Sequence, residues 1–261
     1  MPRMCLGDGS WRAITAFDLR VSPGSWSFAR ENAAEIARHW EQRKRTNPNI
    51  FNGIIHVLVS HYIDSTIFSG RYCRTDFASY IYWRDTVLQA RKRPGGAAAL
   101  EMTCDGFVVV IVRAHDDQIL MASAAQHTLN AGFDVVPGGF IDPSDISPTG
   151  HIDPVAAGMR ELHEETGLEW PRVTMDREAW VACDGPLIAI GLVCRLVEPD
   201  KDVLQMVQDH CSQQALPELS NPYWIPPARA LQNSRLPRFL ALLLKGVVSG
   251  RGGREEKPSN P

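Results

Sequence analysis

Apolar and polar positions alternate at two periods along this chain, and the changes between them mark its elements. From Ser27 to about Arg45, the apolar residues Phe28, Ala33, Ile36 and Trp40 share one face at helical spacing, and Asn47-Pro48 ends the run. GIIHVLVSHYI (53–63) and STIFSGRYC (65–73) are rich in β-branched residues and predict strands. DFASYIYWRDTVLQARKR (76–93) predicts an aromatic-rich helix, closed by Pro94-Gly95-Gly96. Four strands should follow: AALEMTC (98–104), GFVVVIVRA (106–114), ILMASA (119–124) and a short one ending at DVVPGGF (134–140). Beyond a helix that begins near Asp153, AWVAC (179–183) and LIAIGLVCRLV (187–197) predict two more strands. A helix is expected around KDVLQMVQDHC (201–211), a short strand in YWIPPARAL (223–231), and a closing helix in LPRFLALLLKGVV (236–248). Strands, helix, strands, helix is the order of an α+β fold with a mixed sheet sandwiched between helices. The final SGRGGREEKPSNP (249–261) is rich in glycine, proline and charge and is expected to be a disordered tail.

One helix carries unusual chemistry. In DPVAAGMRELHEETG (153–167), Asp153 can cap, Pro154 suits the first turn, and Gly167 can close the helix in the left-handed conformation. Val155, Gly158, Met159, Leu162 and Thr166 gather on the side to be buried. Glu161, Glu164 and Glu165 fall within an arc of roughly 100° on another side. Arg160, four residues before Glu164, can pair with it. Three carboxylates so close repel one another, and most glutamate clusters are simply solvated faces. The string R-E-apolar-x-E-E-x-G-apolar is nonetheless rare, arising by chance in on the order of one in 10⁴ to 10⁵ chains at average residue frequencies. It also follows PGGF (137–140) at the end of an apolar strand. Three oxygen ligands on one rigid face suit a hard cation, Mg²⁺ or Mn²⁺, which would supply the missing positive charge.

Composition narrows the alternatives. At 261 residues, the chain has room for one large or two small domains. A net charge of −3 provides no general attraction to nucleic acid. The six cysteines are scattered with no C-x-x-C pair, which argues against a zinc ribbon or disulfide scaffold and fits a reducing cytoplasm. The start lacks a secretory signal's apolar run, and FVVVIV and FLALLL are too short to span a bilayer, so no membrane association is expected. Neither a P-loop nor a GxSxG nucleophile elbow occurs.

PGG followed by RELHEETGL resembles the Nudix box, G-x5-E-x7-R-E-U-x-E-E-x-G-U with U apolar, of the Mg²⁺-dependent Nudix hydrolases. The second half of the box is intact. In the first half, 20 residues separate Gly139 from Arg160 where the family has 13, and the leading Glu is absent. Asp145 keeps the pattern's distance from Gly139, and Asp153 is one residue off the distance to Arg160. The resemblance implies that Glu161, Glu164 and Glu165 ligate the metal together with the Gly139 carbonyl. It makes Arg160 the residue that orients the glutamates. A further acid from a later loop would take the proton from water, with Glu218 the first candidate and Asp209 the second.

A Nudix domain accounts for about 98–232, leaving 233–248 as a C-terminal helix and 1–97 as an α+β extension that caps, dimerises or binds substrate. HWEQRKRTNPNIFNG (39–53) and GRYCRTDFASYIYW (70–83) resemble the animal Nudix proteins that split UDP-glucose and UDP-galactose. Arg74, Tyr72 and Phe77 could meet a nucleotide by charge and stacking. The simpler reading makes Trp40, Phe51, Tyr72 and Phe77 core residues. His151 and His163 read as solvated.

The expected function is therefore metal-dependent hydrolysis of a nucleoside diphosphate linked to another moiety, foremost an NDP-sugar. The alternatives are another Nudix substrate (ADP-ribose, a dNTP or a dinucleoside polyphosphate) or a non-catalytic nucleotide sensor.

Overall fold

The computed structural model describes residues 5–48, 50–91, 104–197, 200–250 and 252–254. The chain opens with strands β1 (Ser10–Ile14) and β2 (Ala16–Ser25), helices α1 (Ser27–Glu31) and α2 (Ala33–Thr46), strands β3 (Ile54–Asp64) and β4 (Ile67–Asp76), and helix α3 (Phe77–Arg91). Strands β5 (Asp105–Arg113), β6 (Ile119–Ala124), β7 (Asp134–Val135) and β8 (Gly138–Gly139) lead to helix α4 (Pro154–Thr166). Next come β9 (Val173–Met175), β10 (Ala179–Asp184), β11 (Leu187–Leu196) and α5 (Asp200–Gln213). The chain closes with β12 (Leu219–Ile225), α6 (Pro227–Ala230), α7 (Arg238–Ser249) and β13 (Gly253–Arg254).

The larger sheet runs β12-β6-β5-β11-β10-β1-β13, with β7, β8 and β9 paired beside β6, β5 and β11. It is mixed: β5 and β11 are parallel, and β10 and β11 antiparallel. Its central strand is apolar on both faces because both faces are covered. Val110 and Val112 pack with Met159 and Leu162 of α4 and Val203 and Val207 of α5. Val109 and Ile111 pack with Phe239, Leu240 and Leu243 of α7 on the opposite side. This is the expected α+β sandwich.

The smaller sheet, β2-β4-β3, lies against the larger one. Leu19, Leu58, Phe68 and the fully buried Tyr72 share a core with Val108, Ile141, Ile152 and Ile190. The other face of the small sheet carries α2 and α3 through Ile55, Val57, Tyr80, Ile81 and Trp83. An isolated bridge joins Leu58 to Cys104 just ahead of β5.

Several expectations change. The helix over 27–45 is two helices, broken at Asn32, whose side-chain amide donates to the Phe28 carbonyl. Strands β1, β2, β9 and β13 have no counterpart among the expected elements: β1 pairs along its length with β10 in the large sheet, and Gly253–Arg254 of the tail expected to be disordered pairs with the other edge of β1. The last strand starts earlier, at Leu219, and stops at Pro226, after which PARA is helical. Phe51 is not a core residue but is 81% exposed. Tyr72 is sealed inside the core and cannot stack on a ligand. Most of the strand expected at 98–104, the Pro94-Gly95-Gly96 break and most of the tail lie outside the described residues. Cysteines 104, 183, 194 and 211 are buried thiols, and among the described residues no helix is long and apolar enough to cross a membrane.

Candidate active site

Helix α4 forms with the boundaries its sequence encodes. The Asp153 carboxylate accepts from the Val155 and Ala156 amides at 2.9 and 3.1 Å, Pro154 follows it, and Gly167 closes the helix at φ 72°. Ala157, Gly158, Met159, Leu162 and Thr166 turn into the core. Glu165 goes in with them, because seven residues, nearly two full turns, bring it over Gly158. The three glutamates are thus graded by depth. Glu165 is buried, Glu161 nearly so, and Glu164 stands at the rim with 56% of its side chain exposed.

Arg160 is the hub. Its Nε and Nη2 donate to the two oxygens of Asp145 at 3.1 and 2.9 Å, a bidentate pair. Its Nη1 donates to Glu161 at 2.9 Å and to Glu164 at 3.1 Å, and Nη2 also donates to the Phe140 carbonyl at 3.1 Å. The structure therefore separates two acids that spacing left open. Asp145, buried in a 3-10 turn (143–145), meets Arg160, whereas Asp153 is a helix cap.

The glycines of PGGF make the close approach to α4. A Cβ on Gly139 would sit 2.3 Å from Glu161 Oε1, so the Glu161 carboxylate rests where only glycine leaves room. The Gly138 amide donates to Glu165 Oε2 at 2.9 Å. Phe140 turns the other way, edge-on to Tyr80 and Phe77 of α3, with ring centroids 4.9 and 6.2 Å apart.

The local field is strongly acidic. Burial pushes the Glu161 carboxyl up to about 7 despite Arg160, with Glu164 and Glu218 adding to the rise. Burial raises Glu165 well above the ordinary carboxylate range; the Gly138 amide opposes the rise, and the charges of Glu161, Glu218 and Glu164 add to it. The exposed Glu218, on the loop before β12, therefore lies within electrostatic reach of both inner glutamates. Asp209 faces an open groove along α5, where Gln205 donates to it at 2.9 Å. His151 and His163 are solvent-exposed, as expected.

The donor set fits a hard divalent cation. It consists of carboxylate oxygens, two of them raised in pKa by burial and by one another's charge, a condition that a positive charge relieves. In this conformation the carboxylates are engaged by Arg160 and Gly138, and among the described residues no group of three or more His, Cys, Asp or Glu side chains is arranged to hold a metal.

A family model described as the NUDIX domain matches residues 102–242, just over half of the chain. No curated protein matches. Among solved structures, a C. elegans Ap4A hydrolase binary complex is similar at 17% identity and TM-score 0.40, over 55% of this chain and 96% of that one. A MutT protein from Methanosarcina mazei Go1 is similar at 17% identity and TM-score 0.38, over 56% of this chain and 93% of that one. The M. smegmatis Nudix hydrolase RenU is similar at 17% identity and TM-score 0.39, over 56% of this chain and 84% of that one. With the mixed-sheet sandwich and the glutamate helix in place, the chain belongs to the Nudix family and is a hydrolase of pyrophosphate bonds.

Proposed function

We propose that the protein hydrolyses a nucleoside diphosphate joined to a sugar, a UDP-glucose-like substrate, to a nucleoside monophosphate and a sugar 1-phosphate. The observation that carries the reading is the cluster of Glu161, Glu164 and Glu165, with Glu218 beside it and Arg160 fixing two of its members.

In this reading Glu161, Glu164 and Glu165, with the Gly139 carbonyl, hold Mg²⁺ or Mn²⁺. Bound there, the cation neutralises the diphosphate and lowers the pKa of the attacking water. Glu218 accepts the water's proton, since it is exposed yet within electrostatic reach of the buried glutamates. The water oxygen forms the new bond to phosphorus as the anhydride P–O bond breaks. Arg160 keeps Glu161 and Glu164 from swinging away between turnovers, because Asp145 and the Phe140 carbonyl anchor its other end.

Residues 1–97 serve recognition of the nucleotide-sugar portion. What supports this is that α3 reaches the box itself, through Phe77 and Tyr80 against Phe140, while Arg74 on β4 is exposed. Product analysis with Mg²⁺ across UDP-glucose, ADP-ribose, GDP-mannose, diadenosine polyphosphates and dNTPs tests the proposal. UMP and glucose 1-phosphate from UDP-glucose, lost in Glu165→Gln, are expected. Preferential cleavage of another panel member would discard the sugar-nucleotide reading and keep the hydrolase.

A further inference from the structure

Helix α4 ends in a way that its own backbone does not complete. The Gly167 amide closes the last turn on the His163 carbonyl at 2.8 Å. The next amide, that of Leu168, turns instead to the Thr166 hydroxyl at 3.2 Å. The carbonyls of Glu164 and Glu165 therefore need donors from elsewhere, as the last carbonyls of a helix do. Among the described residues, the groups that reach them are His210 and Cys211 of α5 and Gln214 just past its end. His210 Nε2 lies 3.0 Å and Gln214 Nε2 2.5 Å from the Glu164 carbonyl oxygen, and the Cys211 thiol donates to the Glu165 carbonyl at 3.5 Å. Gln214 Nε2 also lies 2.9 Å from His210 Nε2, so the three groups meet at one point.

His210 and Gln214 are four residues apart, the second just past the end of α5, and both turn to the same carbonyl. This end of α5 is pressed flush to the end of α4: a Cβ on Gly167 would stand 2.9 Å from His210 Nδ1. Below the polar contacts, Val203, Val207 and Cys211 pack with Leu162 and Leu168. Apolar packing thus brings the helices together, and the donors set the rotation and height of the last turn of α4.

We propose that His210 and Gln214 are positioning residues for the hydrolytic reaction, acting as a clamp that fixes the backbone of Glu164 and Glu165. The clamp holds no substrate and no metal. It acts through the Cα positions of the two glutamates, since misplacing reacting groups by about 1 Å can cost on the order of 100-fold in rate. The inference rests on the reading of Glu164 and Glu165 as metal ligands, and the experiment separates the two.

Mn²⁺ binding, followed by the electron paramagnetic resonance of the free ion, is compared with kcat, KM and the melting temperature across four proteins. These are the wild type, Glu165→Gln, the double variant His210→Leu/Gln214→Leu, and His210→Gln/Gln214→Leu, which keeps one amide donor. The double leucine variant is expected to melt as one folded species, bind Mn²⁺ about 10-fold more weakly, lose about 10-fold in kcat and keep its KM. The variant retaining one donor should recover most of both losses. If Glu165→Gln binds Mn²⁺ like the wild type, the ligand reading itself fails. If Glu165→Gln loses the ion while the double leucine variant binds and turns over like the wild type, the clamp is overturned. Should the double variant not fold, the single leucine variants give the same reading at about 3-fold each, and no change in either overturns the proposal.

Discussion

Asp134 and Glu165 are both buried carboxylates, yet they sit in opposite environments. Asp134 is met by four donors: Arg235 at 2.7 Å, Asn233 at 2.8 Å, Ser123 at 2.9 Å and Tyr223 at 3.1 Å. Burial works against its charge, but the hydrogen bonds from Asn233, Ser123, Tyr223 and Arg235 outweigh it and hold the carboxyl below its ordinary range. Glu165 has one backbone amide and three neighbouring acids, and its carboxyl is driven up. Depth alone therefore does not say what a buried acid is for. A carboxylate with its full set of donors joins β6, β7, β12 and the loop before α7 and belongs to stability. A carboxylate short of donors among other acids stores an unmet demand for positive charge, which is what the proposed metal role of Glu165 would meet.

The comparison breaks most sharply at Glu165 itself. Glu165→Gln should reduce turnover by more than about 100-fold, beyond the usual effect of residues that only support ligands, while the melting temperature holds or rises because a buried charge is gone. A falling melting temperature with intact turnover would reverse the assignment. Asp134→Ala should show the complementary pattern. It leaves the Arg235 guanidinium and three other donors without their acceptor, at a cost of about 3–5 kcal/mol by denaturant unfolding, and kcat per folded molecule should not change.

A third acid sharpens the contrast through pH. Burial pushes the carboxyl of Asp105, at the start of β5, up to about 6 from 3.8, although the Tyr80 hydroxyl hydrogen-bonds to it and Arg84 is near. Because the folded form holds this proton more tightly, the stabilising contribution is complete below about pH 4 and is lost as pH rises through about 6. Asp105→Asn should remove that slope and raise stability at pH 7 by up to about 3 kcal/mol. The difference between the two proteins, measured by unfolding from pH 4 to 7.5, reads it directly, and parallel curves would contradict it. The smallest effect belongs to His163, exposed and 3.7 Å from an exposed Glu169. His163→Ala should stay within about 0.5 kcal/mol of the wild type in stability and match it in turnover.

Much of this was legible in the chain. Elements whose pattern is long, such as β3, β5, β11, α3 and α7, lie where periodicity puts them, because burial on one or both faces dictates their composition. The boundaries of α4 were equally readable, since Asp153, Pro154 and Gly167 each have one local role. Strands β1 and β2 were not. SWRAI and AFDLRVSPGS become strands through partners far along the chain, β10 and β4, and β2 even contains a proline. Helical spacing puts Glu165 seven residues after Gly158, on the buried side, but the seats that Gly138 and Gly139 give Glu165 and Glu161 depend on where PGGF folds. Counting left two aspartates to stand for the missing leading Glu, and the 3-10 turn that brings Asp145 rather than Asp153 to Arg160 is a property of the loop's path.

That path has a consequence for how the molecule can change. The extra residues between Gly139 and Arg160 run out to the edge of β2: the Val21 amide donates to the Gly150 carbonyl at 2.9 Å, and the Ile152 amide to the Leu19 carbonyl at 2.9 Å. An isolated bridge between Arg20 and His151 seats the lengthened loop on that edge. Shedding either one would leave the other's backbone groups at these contacts without those partners. The spacing within the glutamate motif and the presence of the amino-terminal strands should therefore be inherited as a single trait.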